Sequence, residues 1–128
     1  MQIFRTYART YTTDLDTALA ALTTATDEPV TGRFMMPNGL ELATVGRVLV
    51  VAGDEETLEP YTETAATLIV DDLDECQVRL HQTGARIVRG PQGVPTGRNL
   101  TARLPGGLQL EYVEWDETQW ERAGGRPV

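Results

Sequence analysis

Lysine and serine are both absent from this chain of 128 residues, and cysteine and histidine occur once each. Without lysine there is no Schiff-base amine and no phosphate-loop lysine; without serine there is no serine nucleophile. A single cysteine, Cys76, allows no internal disulfide. Basic charge is scarce as well. Eleven arginines stand against 19 acidic residues, leaving a net charge of −8 and no basic run. Nucleic-acid binding rests on clustered cations that neutralise phosphates, so a nucleic-acid partner is not expected. No apolar run approaches the roughly 20 residues that span a bilayer, so no membrane partner is expected either. The opening Met1-Gln2-Ile3-Phe4-Arg5 lacks the apolar stretch of a signal peptide, and a cytoplasmic location is the expectation.

What is present is a duplication. Thr13-Asp14-Leu15-Asp16 leads into a helical run, and 58 residues later Asp71-Asp72-Leu73-Asp74 does the same. A repeat of that length is too long for a solenoid unit and too short for a free-standing domain. With 41% hydrophobic and 23% charged residues, the mixture suits one globular domain made of two paired modules.

The first module reads as a strand over Phe4–Thr12, then a helix capped by Asp14 with Leu15, Ala18, Leu19, Leu22 and Ala25 on its apolar stripe. Three strands follow, over Arg33–Met36, Leu40–Val45 and Arg47–Ala52, with Pro37-Asn38-Gly39 and Gly46 as turns. Residues 54–63 read as a polar linker. The second module has a strand over Ala65–Val70, then a helix begun by Asp72 and Glu75 and stopped by Gly84. Leu73, Cys76 and Leu80 form that helix's buried stripe. Strands over Arg86–Arg89, Asn99–Leu104 and Leu108–Trp115 complete it, with 90–97 as a loop. The organisation is therefore α+β: module one over about 3–53, module two over about 64–115, and a tail over 116–128. Trp120 is the residue able to pin that tail to the body.

Two β-α-β-β-β modules, each entering its helix through Asp-Leu-Asp, resemble the vicinal oxygen chelate superfamily of glyoxalase I, bleomycin-resistance proteins and extradiol dioxygenases. Leu68-Ile69-Val70-Asp71-Asp72-Leu73-Asp74 looks like the family's first strand and helix entry. Gly84-Ala85, Gly90-Pro91 and Leu104-Pro105-Gly106-Gly107-Leu108-Gln109-Leu110-Glu111 follow its layout. The resemblance covers roughly residues 3–115. It implies curved sheets around a cleft, a homodimer, and, in the metal enzymes, ligands on the first and last strands of each module. The first-strand position falls seven residues before each helix-start Asp, at Tyr7 and Ala65. On the last strands, Val48–Ala52 is wholly apolar and only Glu111 is a ligand type. Zinc, iron and manganese enzyme sites need three or more His, Cys or carboxylate ligands. No metal and no cofactor are therefore expected.

Strand alternation selects the residues that would line the cleft. With Tyr7 facing it, Arg5, Arg9 and Tyr11 share its side, while Ala8, Thr10 and Thr12 turn to the helix. In module two, Ala65, Thr67 and Ile69 face it, joined by Gln109, Glu111, Val113 and Trp115. Asn99, Thr101 and Arg103 line it from the strand before, and Leu108, Leu110 and Tyr112 go to the core. The candidate ligand-binding residues are thus Arg5, Tyr7, Arg9, Tyr11, Thr67, Thr101, Arg103, Gln109 and Glu111. Aromatic surface with a few polar groups is the composition of a small-molecule pocket. Each has a plainer alternative: Arg9 pairing with Glu111, and Tyr7 and Tyr11 as half-buried strand aromatics. Met35 and Met36 read as core filling in preference to an adaptable pocket lining, His81 as a surface or boundary residue, and Cys76 as an inert core thiol. Residues 90–97 serve as a lid or plain connection, and the acids at 71, 72, 74 and 75 serve the helix start.

Three functions remain open. The first is a metal-independent small-molecule binding protein that sequesters an aromatic or anionic metabolite or antibiotic. The second is a divergent metal-free isomerase or lyase using Glu111 as acid or base. The third is an interaction module whose cleft is filled by its own side chains.

Overall fold

Every α-helix among the described residues, 1–127 of a computed structural model, begins on an aspartate. Asp14, Asp54, Asp72 and Asp116 accept hydrogen bonds from the backbone N–H groups of Thr17, Thr57, Glu75 and Gln119. Each carboxylate satisfies a donor that the helix leaves unpaired and complements the positive end of the dipole. The helices so begun are α1 (Leu15–Thr26), α2 (Glu55–Leu58), α3 (Leu73–Thr83) and α4 (Glu117–Arg122).

The chain divides into two compact units. The first is Tyr7–Glu63; the second is Met1–Thr6 together with the chain from Thr64. The first six residues thus group with the second half, and β1 (Ile3–Thr12) supplies residues to both. Within the first unit, β2 (Val30–Met35), β3 (Glu41–Val45) and β4 (Val48–Ala52) pair antiparallel in turn. β1 then lies parallel beside β4, with Arg9 opposite Leu49 and Thr10 opposite Val50. The second unit repeats the pattern. β6 (Arg86–Val94), β7 (Gly97–Arg103) and β8 (Gln109–Trp115) pair antiparallel, and β5 (Ala66–Val70) lies parallel beside β8 with Thr67 opposite Glu111. Both units are β-α-β-β-β, and the class is α+β.

In each unit the long helix, α1 or α3, covers one face of the unit's strands. In the first unit Leu15 and Leu19 pack with Ala43, Val45, Val50 and Ala52; in the second Leu73, Cys76 and Leu80 pack with Val70, Leu100, Ala102 and Tyr112. Helix α1 lies over β3 and β4. The outer positions of β1, Ala8 and Thr10, are consequently exposed rather than covered by the helix, which accounts for their weakly apolar character. Ala25, counted with the apolar stripe, is exposed at the far end of α1. Leu108, assigned to the core, precedes β8 and is half exposed.

Two other expectations give way. Residues 90–94 are strand rather than loop. β6 is the outer strand of its unit and bulges between Ile87 and Arg89 and again between Arg89 and Gln92. An edge strand with bulges tolerates the glycines and the proline that read as loop signals. Gly90 has φ +82°, and a Cβ there would lie 2.5 Å from the carbonyl oxygen of Asn99, so only glycine lets β7 approach. The polar stretch 54–63 is likewise not plain linker but α2 followed by a 3₁₀ turn over Glu59–Tyr61.

The tail is anchored. Trp120 is 2% exposed, with the Phe4 ring edge-on at 5.2 Å and Trp115 at 4.8 Å. The Arg5 guanidinium lies over Trp115 and Trp120 at 5.2 and 5.7 Å, and its Nη2 donates to the Ala123 carbonyl at 3.2 Å.

Candidate functional site

The buried polar side chains of β5, β7 and β8 gather on one sheet face, the side turned away from α3. Alternation along β5, β7 and β8 sends Leu68, Val70, Leu100, Ala102, Leu110 and Tyr112 to the helix. Their neighbours Thr67, Asn99, Thr101, Gln109 and Glu111 take the other side, with Thr101 and Thr67 flanking Glu111 across the two ladders. Thr64, Thr67, Asn99, Thr101 and Gln109 are all buried.

Glu111 is the centre of this face. Thr67 Oγ1 donates to its Oε1 at 2.8 Å, and Asn99 Nδ2 donates to its Oε2 at 2.7 Å. Two neutral donors from the neighbouring strands therefore fix the carboxylate's orientation. Beside it, Arg103 Nη2 donates to Gln109 Oε1 at 3.1 Å, and Gln109 Nε2 donates to Thr64 Oγ1 at 3.1 Å. Asn99 Oδ1 is buried and has no hydrogen-bond partner.

In the first unit the expected residues form a different network. Tyr11 takes the Arg9 Nε–H at 2.9 Å, carries the guanidinium over its ring at 5.5 Å, and donates its own hydroxyl to the Tyr61 carbonyl at 2.6 Å. Asn38 Nδ2 in turn donates to the Tyr61 hydroxyl at 2.9 Å. Tyr11 thus acts on Arg9, locking one edge of the cation. Tyr7 is 5% exposed beneath the Arg47 guanidinium at 5.6 Å. Arg5 engages the tail through Trp115, Trp120 and Ala123, contacts that give it a structural task.

Sequence reasoning passed over Tyr61, Asn38 and Thr64. Tyr61 and Thr64 sit in or beside the stretch read as linker. A second pair of similar starts, Asp54-Glu55-Glu56 and Asp116-Glu117-Thr118, was the available sign that this stretch holds a helix. Met35 does not fill the core. It is 65% exposed and lines an open groove of about 320 Å³ at the start of α1, with Leu15, Arg33 and Glu41. There Arg33 Nε meets Glu41 at 2.9 Å and Nη2 meets Asp16 at 3.4 Å; the hydrogen bond raises the guanidinium's pKa and lowers that of Glu41.

The remaining candidates have structural partners. Burial pushes the Cys76 thiol up to about 11, the environment of an inert thiol. His81 is exposed. Of the acids at the start of α3, Asp72 caps the helix and Asp71 accepts from the Gln2 N–H at 2.7 Å. Asp74 pairs with Arg98 at 3.3 Å, and Glu75 pairs with the Met1 amine at 2.9 Å.

Two β-α-β-β-β units, each with its first strand parallel to its last, make a glyoxalase-type α+β fold. Comparison with known proteins agrees. A crystal structure of an uncharacterized protein from Methanosarcina mazei is 43% identical, with a TM-score of 0.86, covering 91% of this chain and 96% of that one. Methylmalonyl-CoA epimerase from Mycobacterium tuberculosis is 18% identical, with a TM-score of 0.72 and 91% of each chain covered. A mutant 4-hydroxymandelate synthase from Streptomyces coelicolor is 13% identical, with a TM-score of 0.53 over 90% of this chain and 49% of that one. The latter two likenesses concern the fold alone. No protein-family model and no curated protein matches the chain. By identity the chain is a relative of the Methanosarcina mazei protein, and it shares the fold of the epimerase and the synthase.

The donor set does not fit the metal centre that the resemblance implies. Register makes Leu49, opposite Arg9, the counterpart of Glu111, opposite Thr67. The four positions are therefore Tyr7, Leu49, Ala65 and Glu111, and both Glu111 oxygens already accept hydrogen bonds. Among the described residues no three His, Cys, Asp or Glu side chains converge. One carboxylate with a phenol, a leucine and an alanine is not a zinc, iron or manganese site. Among the described residues no helix is long and apolar enough to cross a membrane.

Proposed function

We propose that this chain binds a small organic molecule, independently of a metal, on the sheet face that carries Glu111. The observation that carries the reading is the cluster of buried polar side chains around one oriented carboxylate, on the sheet face turned away from α3. Burying so many polar groups is costly unless each is answered, and convergent polar groups on an otherwise apolar surface are the mark of a ligand site. Homodimer assembly belongs to the same proposal, supported by Val30 and Met35 on the outer strand β2, both exposed.

Mass spectrometry of natively purified protein is expected to find a small molecule released on denaturation. A ligand at a hundred times its Kd adds about 2.7 kcal/mol of stability, several degrees of Tm. Protein that carries nothing, and whose Tm no metabolite pool raises, overturns the proposal.

A second reading, the metal-free isomerase or lyase with Glu111 as acid or base, is favoured by the fixed orientation of that carboxylate. Glu111→Gln separates the two. A binding protein keeps affinity within about tenfold, whereas an enzyme loses turnover by about 10²–10⁴.

A further inference from the structure

We propose that Asn38 is a site of spontaneous covalent modification, losing its side-chain amide as ammonia, and that the hydroxyl of Tyr61 restrains the reaction. The chain's asparagines are Asn38 and Asn99. Asn99 is buried in β7 and precedes Leu100, whose side chain crowds the backbone nitrogen between them. Asn38 is exposed in the turn between β2 and β3 and precedes Gly39. Glycine has no Cβ, so its backbone nitrogen can close on the side chain before it. The surroundings add no obstacle: Gly39 has φ +91°, and even a Cβ there would meet no atom within 4 Å.

The chemistry balances with water as the sole co-reactant. The Gly39 backbone nitrogen gives up its proton and attacks Asn38 Cγ. A new N–Cγ bond closes a succinimide ring, the Cγ–Nδ2 bond breaks, and Nδ2 leaves as ammonia carrying that proton. Water then opens the ring. Attack at Cγ leaves aspartate. Attack at the Asn38 backbone carbonyl leaves isoaspartate, whose main chain runs through the former side chain and is longer by a methylene. Either product adds a negative charge.

Hydrogen bonds in the folded chain oppose the first step. Gly39 N–H donates to the Met36 carbonyl at 3.0 Å, so the nucleophile must leave its turn before it reacts. Asn38 Oδ1 accepts from the Leu40 N–H at 3.1 Å, and Nδ2 donates to the Tyr61 hydroxyl at 2.9 Å. The Tyr61 bond comes from outside the hairpin, from the 3₁₀ turn over Glu59–Tyr61. With both ends of the amide held, Cγ cannot swing onto the Gly39 nitrogen until Tyr61 lets go. The products differ in what they undo. Aspartate still offers acceptors to the Leu40 N–H and to a Tyr61 hydroxyl turned donor. Isoaspartate lengthens the chain between Met36 and Gly39 and breaks the turn that joins β2 to β3.

The test follows Asn38 by peptide mass spectrometry and an isoaspartate assay while the full chain is incubated at mildly alkaline pH, where more of the Gly39 nitrogen is deprotonated. Native wild type, native Tyr61→Phe and wild type in guanidinium chloride are compared. Asn38 should convert fastest in denaturant and slowest in native wild type. Tyr61→Phe should convert about fivefold faster than native wild type, the worth of one ordinary hydrogen bond. Its Cys76 thiol, buried in the core, should stay as slow to react as in the wild type. Hydrogen exchange of native wild type gives a measure independent of the variant: conversion should be slowed, relative to denaturant, by at least the factor that slows Gly39 N–H exchange. An Asn38 that survives in denaturant overturns the site. Equal rates in wild type and variant, a rise that only accompanies Cys76 exposure, or conversion slowed less than exchange overturns the restraint.

Discussion

Trp120→Ala is a perturbation with a large expected cost at a site apart from Glu111. Trp120 is 2% exposed, holds Phe4 and Trp115 edge-to-face at 5.2 and 4.8 Å, and has the Arg5 guanidinium 5.7 Å from its ring. Truncating a buried tryptophan to alanine costs about 3–5 kcal/mol. The two ring pairs, each worth about 0.5–1.5 kcal/mol, place this site in the upper half of that range. Total stability for a domain is about 5–15 kcal/mol, so the variant should be markedly weakened. Tm should fall by about 10–20 °C, given the sensitivity expected for a chain of this length. Urea denaturation followed by circular dichroism and calorimetry measures the loss. Trp115, the one tryptophan left in the variant, reports the local change by fluorescence. Hydrogen exchange adds a spatial readout, because residues 117–122 should lose protection before β7 and β8 do. A destabilisation below about 1 kcal/mol, the range of an ordinary surface substitution, would refute the reasoning that this ring anchors the tail.

Asp72→Ala removes the side-chain acceptor of the Glu75 N–H at the start of α3 and should cost about 0.5–2 kcal/mol in the same denaturation assay. The Cys76 thiol, raised to about 11, should resist a thiol reagent at pH 8 in the native protein and react at once in denaturant. Fast native labelling would show that the core around α3 opens readily. Hydrogen bonds from Thr17 and Thr57 hold Asp14 and Asp54 below the ordinary aspartate value of 3.8. Their stabilisation is complete above that value and is lost as pH falls through the lower folded values. Tm measured downward from pH 5 should therefore decline at the acid end, and a flat profile there would contradict the caps.

The duplicated helix entry was legible because Asp14 and Asp72 solve the same local problem, pairing the first free N–H of a helix that an apolar stripe follows at once. The strands around it were legible by alternation, including the face that carries Thr67, Thr101, Gln109 and Glu111. What misled was composition standing in for context. Gly90, Pro91 and Gly93 break a strand when it lies inside a sheet, but β6 lies at its unit's edge and bulges around them. Residues 54–63 looked like linker because α2 has only one buried residue, Leu58, too few for a periodic signal. Arg5 matched the alternation of Tyr7 and Arg9, yet its partners Trp115, Trp120 and Ala123 lie more than a hundred residues away in sequence. No local pattern encodes such a contact. The unanswered oxygen of Asn99 was equally invisible, since it depends on which neighbour takes the amide nitrogen.

The parallel seat of β5 against β8 has a kinetic meaning. β7 and β8 meet through the short Pro105-Gly106-Gly107 turn, a closure of microseconds. The pairing of Ala66 with Leu110, by contrast, must first close a loop of about forty residues, and such distant contacts form late. The strand bearing Thr67 is expected to dock last, so the Glu111 carboxylate waits on its hairpin in water until the final step of folding turns it into a rigid fixture.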